Sequence, residues 1–393
     1  MGEDRWMENP KNSPIRVMRI IARMNVGGPA VQVTGLMRGI DSVQFDHRLY
    51  TGFCSADEAD YLDTVASGVD AIRIDGLGRR VNIVADFKAL FALVNEIRIF
   101  KPHLIHTHTA KAGFLGRVAS VLSLHPSIRV HTFHGHLLHG YFSRFKLSLV
   151  VFAEKTLFLF TDYLLAVGDN VRRDLLNAGI GNTEKFGLMP PGLLIGALQN
   201  KTKSRLSLGL SPEVLHCAYI GRITRIKRPD RFLDVVSEIK RRGLNLEFFI
   251  AGDGELFKQC QARIISEELP VTLLGWQSDI EKVLSATDIV VLTSDNEGTP
   301  LSLIQAGMAG LPAVATNVGS VSEVVVNGLT GILTGISVSE IADALERLCQ
   351  SPGLRAVMGA DALDFTLANF GVQRLVHDHE ELYKKLIANR AKF

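Results

Sequence analysis

Four cations fall within seven residues in Gly221-Arg222-Ile223-Thr224-Arg225-Ile226-Lys227-Arg228-Pro229, directly after the apolar run 215–220. At the end of a strand such a set can neutralise a diphosphate, arginine forking onto two oxygens and lysine acting as a point charge. A solvated basic turn is the competing reading. A second constellation, Thr293-Ser294-Asp295-Asn296-Glu297-Gly298-Thr299-Pro300, follows the apolar run 289–292. Here Thr299 is expected to cap a helix over 301–309 and Pro300 to open it. Amides near Leu301 and Ser302 would then stand beside the Glu297 carboxylate, the acid holding sugar hydroxyls and the amides holding oxyanions. Glu297 could equally be an exposed loop acid. Asp295-Asn296-Glu297 also mimics an acid-x-acid metal site, but it brings no further ligand.

Two more groups of residues belong with these. Asn25-Val26-Gly27-Gly28-Pro29 follows the run 17–22, and a helical pattern starts at Ala30. Paired glycines allow close backbone approach and proline suits a first helical turn, which makes a helix N-terminus fit for a phosphate or simply a tight turn. No GxGxxG is present, so a nicotinamide-type pyrophosphate loop has no support. His103, His106, His108, His125, His131, His134, His136 and His139 are eight of the twelve histidines. His106 and His108 share one strand face, and His134 lies just past another strand end. Without an accompanying carboxylate or thiolate pattern they read as polar lining of a cleft between domains, not as a metal centre.

Short β-branched runs alternating with helical patterns must position these residues. Strands are expected at 17–22, 48–51, 71–74, 104–107, 130–133 and 163–167. After the Gly/Pro-rich stretch 189–196 they resume at 215–220, 246–251, 271–274, 289–292 and 313–315. Buried runs of this kind read as parallel sheets covered on both faces, and ligands then bind beyond the carboxyl ends of the strands. The fold class expected is α/β, with two Rossmann-like doubly wound domains facing a cleft. The polar tail would be 1–14, the domains 15–190 and 191–369, and a final amphipathic helix within 370–393 would cross back to the first domain.

With 393 residues, the chain is long enough for two cores. A formal net charge of +2 gives no global reason to expect nucleic acid. The four cysteines lack CxxC spacing, the start of the chain carries Glu3, Asp4 and Glu8 instead of a signal-peptide pattern, and no run is as long as a membrane span. A cytoplasmic enzyme is the expectation. Tyr141-Phe142-Ser143-Arg144-Phe145-Lys146, ahead of the apolar stretch 147–160, mixes aromatics and cations as a membrane-contacting surface would, although an ordinary amphipathic helix explains it as well.

The quoted segments, together with His106-Thr107-His108, Thr132-Phe133-His134-Gly135, Ala251-Gly252-Asp253-Gly254 and Val318-Gly319-Ser320-Val321-Ser322-Glu323, occur in an order that resembles the retaining GT-B-fold glycosyltransferases of family four, the glycogen-synthase-like group 1 transferases. The likeness runs from about Arg16 to Lys385. It implies a nucleotide-sugar donor, UDP-sugar favoured, held mostly by the second domain, and a glycan or lipid-linked acceptor, with no metal and no other cofactor. It implies that Arg222 and Lys227 hold the diphosphate, assisted by amides at Gly27 and Gly28. Glu297 would contact the transferred sugar, with Gly298, Thr299 and Pro300 shaping its pocket. His134 would approach the reacting sugar, and the base would lie near Gly252 and Gly275-Trp276. The family's Glu-x7-Glu pair is here Glu297 and Gln305. A neutral amide then replaces the acid that grips the ribose, which weakens a charge-assisted bond. A non-hydrolysing sugar-nucleotide epimerase and a nucleotide-sugar-binding subunit share the architecture and are the alternatives.

Overall fold

The computed structural model describes residues 13–56, 58–135 and 144–390, with side chains from 147 onward in the last segment. In chain order its first elements are β1 (Ile15–Arg23), α1 (Gly28–Gly39), β2 (Phe45–Gly52), β3 (Ala71–Arg73), α2 (Ile83–Phe100), β4 (Leu104–His108), α3 (Ala110–Leu122), β5 (Ile128–Phe133), α4 (Arg144–Phe158), β6 (Tyr163–Ala166), α5 (Asp169–Asn177) and β7 (Phe186–Leu188). There follow α6 (Lys201–Ser207), β8 (Leu215–Ile220), α7 (Pro229–Arg241), β9 (Leu246–Ala251), α8 (Phe257–Ser266), β10 (Val271–Gly275), α9 (Ile280–Ala286), β11 (Ile289–Leu292), α10 (Leu301–Met308), β12 (Ala313–Thr316), β13 (Gly331–Thr334), α11 (Val338–Gln350), α12 (Pro352–Phe370) and α13 (Val372–Arg390).

The chain divides into two compact units, Met1–Leu193 with Val372–Phe393, and Leu194–Gly371. Each holds one parallel sheet, ordered β3-β2-β1-β4-β5-β6-β7 in the first and β10-β9-β8-β11-β12-β13 in the second. Both sheets are Rossmann-like. Strand order reverses between β1 and β4 and again between β8 and β11, and at such switch points the loops splay and leave room for a ligand. The strands are buried apolar runs because helices cover both faces.

In the second unit, α7 buries Phe232, Leu233, Val235, Val236 and Ile239 against Phe248 and Ile250 of β9 and Leu345 and Leu348 of α11. Each such side chain contributes roughly 1.5–3 kcal/mol on burial. The first unit recovers its last helix through small residues. A Cβ on Gly35 or Gly39 of α1 would lie 2.8 or 2.5 Å from methyls of Val372 and Val376 on α13. Glycine there lets α13 approach closely enough to bury Leu375 and Tyr383 among Val17, Leu36, Phe45 and Val130. Among the described residues no helix is long and apolar enough to cross a membrane.

Candidate active site

The loops after β8 and β11, neighbours across the second sheet's switch point, are tied to each other by backbone bonds. The Asp295 amide donates to the Ile226 carbonyl at 2.9 Å. The Thr293 hydroxyl donates to the carbonyls of Lys227 at 3.2 Å and Arg228 at 3.0 Å. Those bonds hold Arg228 in the left-handed region at φ 51°, where a non-glycine residue is uncommon, and so turn the chain into Pro229 and α7. Arg222 and Lys227 flank this turn. Arg222 is exposed and makes no ion pair among the described residues; its carbonyl accepts the buried Tyr219 hydroxyl at 3.0 Å.

The acidic turn is more enclosed than the sequence suggests. Glu297 is 8% exposed, and its Oε1 accepts from the Lys227 ammonium and from the Ser294 hydroxyl, each at 2.5 Å. It is therefore not a solvated loop acid. Its backbone carbonyl accepts the Ser320 amide at 3.0 Å. Gly319 sits at φ 54°, and a Cβ there would stand 1.9 Å from that same carbonyl oxygen, so the Val318–Glu323 segment can close over Glu297 only with glycine at this point. Asp295 is bound by Arg228 at 3.1 Å and by the buried Arg231 at 2.6 Å. Its oxygens are thus already engaged by two guanidiniums. Among the described residues no group of three His, Cys, Asp or Glu side chains is placed to hold a metal ion.

One expectation for this turn is corrected. Pro300, not Thr299, occupies the cap of α10, with extended ψ 104° and no capping side chain. The Pro300 carbonyl already accepts from Leu303 at 3.1 Å, so Thr299 lies one residue too early to cap. Gly298 and Thr299 remain between Glu297 and the helix. The amides of Leu301 and Ser302, both half-buried, have no acceptor among the described residues. Gln305 is half-buried one turn further along α10.

The loops after β9 and β10 obey the same close-approach logic. A Cβ on Gly252 would stand 1.9 Å from the Gly221 carbonyl oxygen, and one on Gly254 2.5 Å from that of Ile223. The Gly252 amide donates to Gly275 at 2.8 Å, and Trp276, 47% exposed, follows at once. Beside the basic turn a cavity of about 570 Å³ is lined by Arg225, Arg228, Asp230, Cys260, Arg263 and Asp295 among others.

In the first unit, α1 begins at Gly28, with Gly27 as its cap and Pro29 second in the helix; the helical pattern expected from Ala30 thus starts two residues earlier. Thr109, past β4, is strained at φ 67° and accepts the Ala22 amide at 3.3 Å, tying the turn after β4 to the carboxyl end of β1. The expectation that the histidines line an open cleft fails for His106, His108 and His131, which are 0–1% exposed. Alternate residues of β4 face one side of the sheet, and there His106 and His108 stack at 4.3 Å around the side chain of Arg19. His134 is half-buried at the end of β5, its Nε2 2.8 Å from His108 Nδ1. Burial, and then the Arg19 charge, push the His134 pKa down to about 3. His136 and His139 lie outside the described residues, as do residues 141–143.

Arg19, Tyr383 and Ser294 were not singled out from the sequence. An arginine at the centre of a strand, between apolar neighbours that are all buried, is the signal that marks the first, since a buried cation needs a reason. His379 and Tyr383, four apart on α13, mark the helix face that meets it.

Adjacent carboxyl-end loops of the second doubly wound sheet thus carry Arg222, a Lys227–Glu297 pair and the amides of Leu301 and Ser302, a set of donors suited to an anionic ligand. Known proteins give the family. Residues 200–364 match the model for group 1 glycosyl transferases, and residues 27–192 match that for a glycosyl transferase 4-like domain. The chain belongs to the group 1 glycosyltransferases of GT-B fold, and it is a glycosyltransferase. An Escherichia coli UDP-Gal:alpha-D-GlcNAc-diphosphoundecaprenol alpha-1,3-galactosyltransferase is 27% identical over 92% of this chain and 97% of its own length. Among solved structures, Anabaena HepE in complex with UDP and glucose aligns with TM-score 0.80 and 18% identity over 94% of this chain and 99% of its own. Sucrose-phosphate synthase from Thermosynechococcus elongatus aligns with TM-score 0.80 and 18% identity over 95% of this chain and 100% of its own.

Proposed function

We propose that this glycosyltransferase moves a sugar, with retention of configuration, from a UDP-sugar to a hydroxyl of a lipid-linked glycan without a catalytic metal. The observation that carries the reading is the Lys227–Glu297 ion pair across adjacent loops at the second sheet's switch point, with exposed Arg222 earlier on the same loop as Lys227. An ammonium has three donors. Lys227 spends one on Glu297 and keeps others for a phosphate oxygen, while Arg222 is open for a forked contact. Fixed cations of this kind stabilise a departing diphosphate with little reorganisation, which is the role a metal fills elsewhere. The amides of Leu301 and Ser302 at the start of α10 add partial positive charge. Glu297 grips the transferred sugar in a pocket shaped by Gly298, Thr299 and Pro300, Gln305 the ribose, and Gly252 and Trp276 border the base. His134 donates a hydrogen bond to the sugar, and the departing phosphate takes the acceptor's proton.

The UDP assignment draws on the UDP-bound structural relative, and the acceptor class on the E. coli relative named above. Incubating the enzyme with UDP-sugars and an undecaprenyl-diphosphate-linked sugar should lengthen the glycan. Conversion of the UDP-sugar to an epimer with no acceptor present would favour an epimerase instead. Gln305 favours a second reading, a binding subunit, which predicts UDP-sugar binding with no transfer to any acceptor.

A lipid-linked acceptor calls for contact with an anionic membrane surface. The described residues offer such a face: Val84, Phe87 and Phe91 of α2 are 58–66% exposed beside Lys88, with exposed Arg79 and Arg80 just ahead. Flotation with anionic vesicles should carry the protein at low salt and release it at high salt; failure to float at low salt removes the membrane contact.

A further inference from the structure

Arg19 has no solvent exposure, and no carboxylate pairs with it among the described residues. Its Nε donates to His47 Nε2 at 2.8 Å, and one terminal nitrogen to His108 Nε2 at 2.6 Å. The other terminal nitrogen donates to the Tyr383 hydroxyl at 2.7 Å. A guanidinium only donates, so the His108 Nε2 it meets must be a lone pair. His108 is buried beside a cation and hence neutral, with its pKa well below that of ordinary histidine through desolvation first and then through neighbouring His106 and Arg19. Its proton therefore sits on Nδ1, which lies 2.8 Å from His134 Nε2. His134 Nε2 must accept that proton's bond, which leaves the His134 proton on Nδ1. Among the described residues that Nδ1 has no partner.

The neighbouring ring runs the opposite way. Tyr383 accepts from Arg19 and donates to His106 Nδ1 at 2.6 Å, so His106 carries its proton on Nε2, 2.7 Å from the Thr132 hydroxyl. Which nitrogen of a histidine is protonated is set by the bond the other makes. Here one buried cation sets both stacked rings. The groups facing Arg19 are His47 from β2, His106 and His108 from β4, and Tyr383 and His379 from α13, and none of them is acidic.

We propose that Arg19 is a positioning residue that acts through His108 to fix His134 as the neutral Nδ1–H tautomer. His134 then offers a hydrogen-bond donor to an oxygen of the bound sugar, and serves neither as a general base nor as a cation. This rests on the assignment of His134 to the sugar. The first half, the relay, holds or fails independently of it.

The test is nitrogen-15 NMR of the full-length protein labelled at histidine, read alongside transfer kinetics. Wild-type His134 should show a protonated Nδ1 and a bare Nε2 that do not titrate while the fold persists. Arg19→Met and His108→Leu should each lose that signature, with kcat/KM falling about tenfold, the loss of one hydrogen bond. A wild-type His134 protonated at Nε2, or one titrating like an ordinary histidine, overturns the proposal. So does an unchanged His134 signature in His108→Leu, which also decides the matter if Arg19→Met does not fold. A changed tautomer with undiminished transfer upholds the relay and removes His134 from the sugar site.

Discussion

Lys227 is no isolated cation, because its ammonium lies 2.5 Å from a carboxylate that is 8% exposed. An ion pair so enclosed is costly to break from one side, since the surviving charge is left without its partner. Glu297 still keeps Ser294, so Lys227→Ala leaves it one donor of two. The proposed donor site turns on Gln305 as well. If this side chain faces the ribose as proposed, Glu in its place restores a charge-assisted bond, about twice as strong as a neutral one. Gln305→Glu is expected to tighten UDP binding in calorimetry by severalfold; unchanged or weaker binding would detach this position from the ribose. The reactive types at this site were legible in the sequence, because Arg222, Lys227 and Glu297 stand at strand ends within short motifs. Their mutual contacts were not, since sequence spacing says nothing of which lysine reaches across to which acid.

At the scale of elements, the close approach of three loops depends on backbone that has no side chain in the way. Gly319→Ala would set a Cβ 1.9 Å from the Glu297 carbonyl oxygen at a backbone φ of 54°. Something must shift, and the movable part is the acidic turn. The variant is expected to lose roughly 1–3 kcal/mol of stability, the usual cost of a strained residue, and to lose transfer activity disproportionately. Thermal melting with kcat on the folded fraction checks this; full activity would mean that the turn over Glu297 is pliable. The strand pattern of both sheets was readable from apolar runs, save for β7 and β13, where a glycine interrupts or opens a short run and leaves no continuous apolar signal. The start of α10 was misread for a different reason. Thr-Pro ahead of a helix suits cap and first position, but here the proline itself turns extended and takes the cap.

For the molecule as a whole, the histidine cage of the first unit makes stability depend on pH. Burial holds His47, His106, His108 and His131 well below ordinary histidine, His103 at about 4, and His134 and His379 at about 3. Their native pKa values are depressed, so the unfolded chain takes up protons first as pH falls. The stabilisation is complete above the ordinary histidine pKa of 6.5 and is lost progressively from there down to the native values. Each such histidine adds a slope of up to about 1.4 kcal/mol per pH unit. Denaturant melts should show stability flat above that range and falling steeply through mildly acid pH, with several protons taken up on unfolding; a flat profile would mean that these rings titrate alike in the native and unfolded chains. No spacing in the sequence foretold the cage, because it joins β1, β2, β4 and the last helix across more than 360 positions, Arg19 to Tyr383 being 364 apart.

The central claim is that side-chain cations of the second unit receive the departing diphosphate. It is tested most directly by single-turnover transfer from a UDP-sugar with EDTA present throughout, for wild type, Arg222→Ala and Lys227→Ala, each melting as a folded protein. The wild type should keep its full rate, and each variant should fall by about two to three orders of magnitude, as when one preorganised donor is lost. A wild-type rate abolished by the chelator and restored by a divalent ion, or variants that turn over as fast as the wild type, would contradict the account.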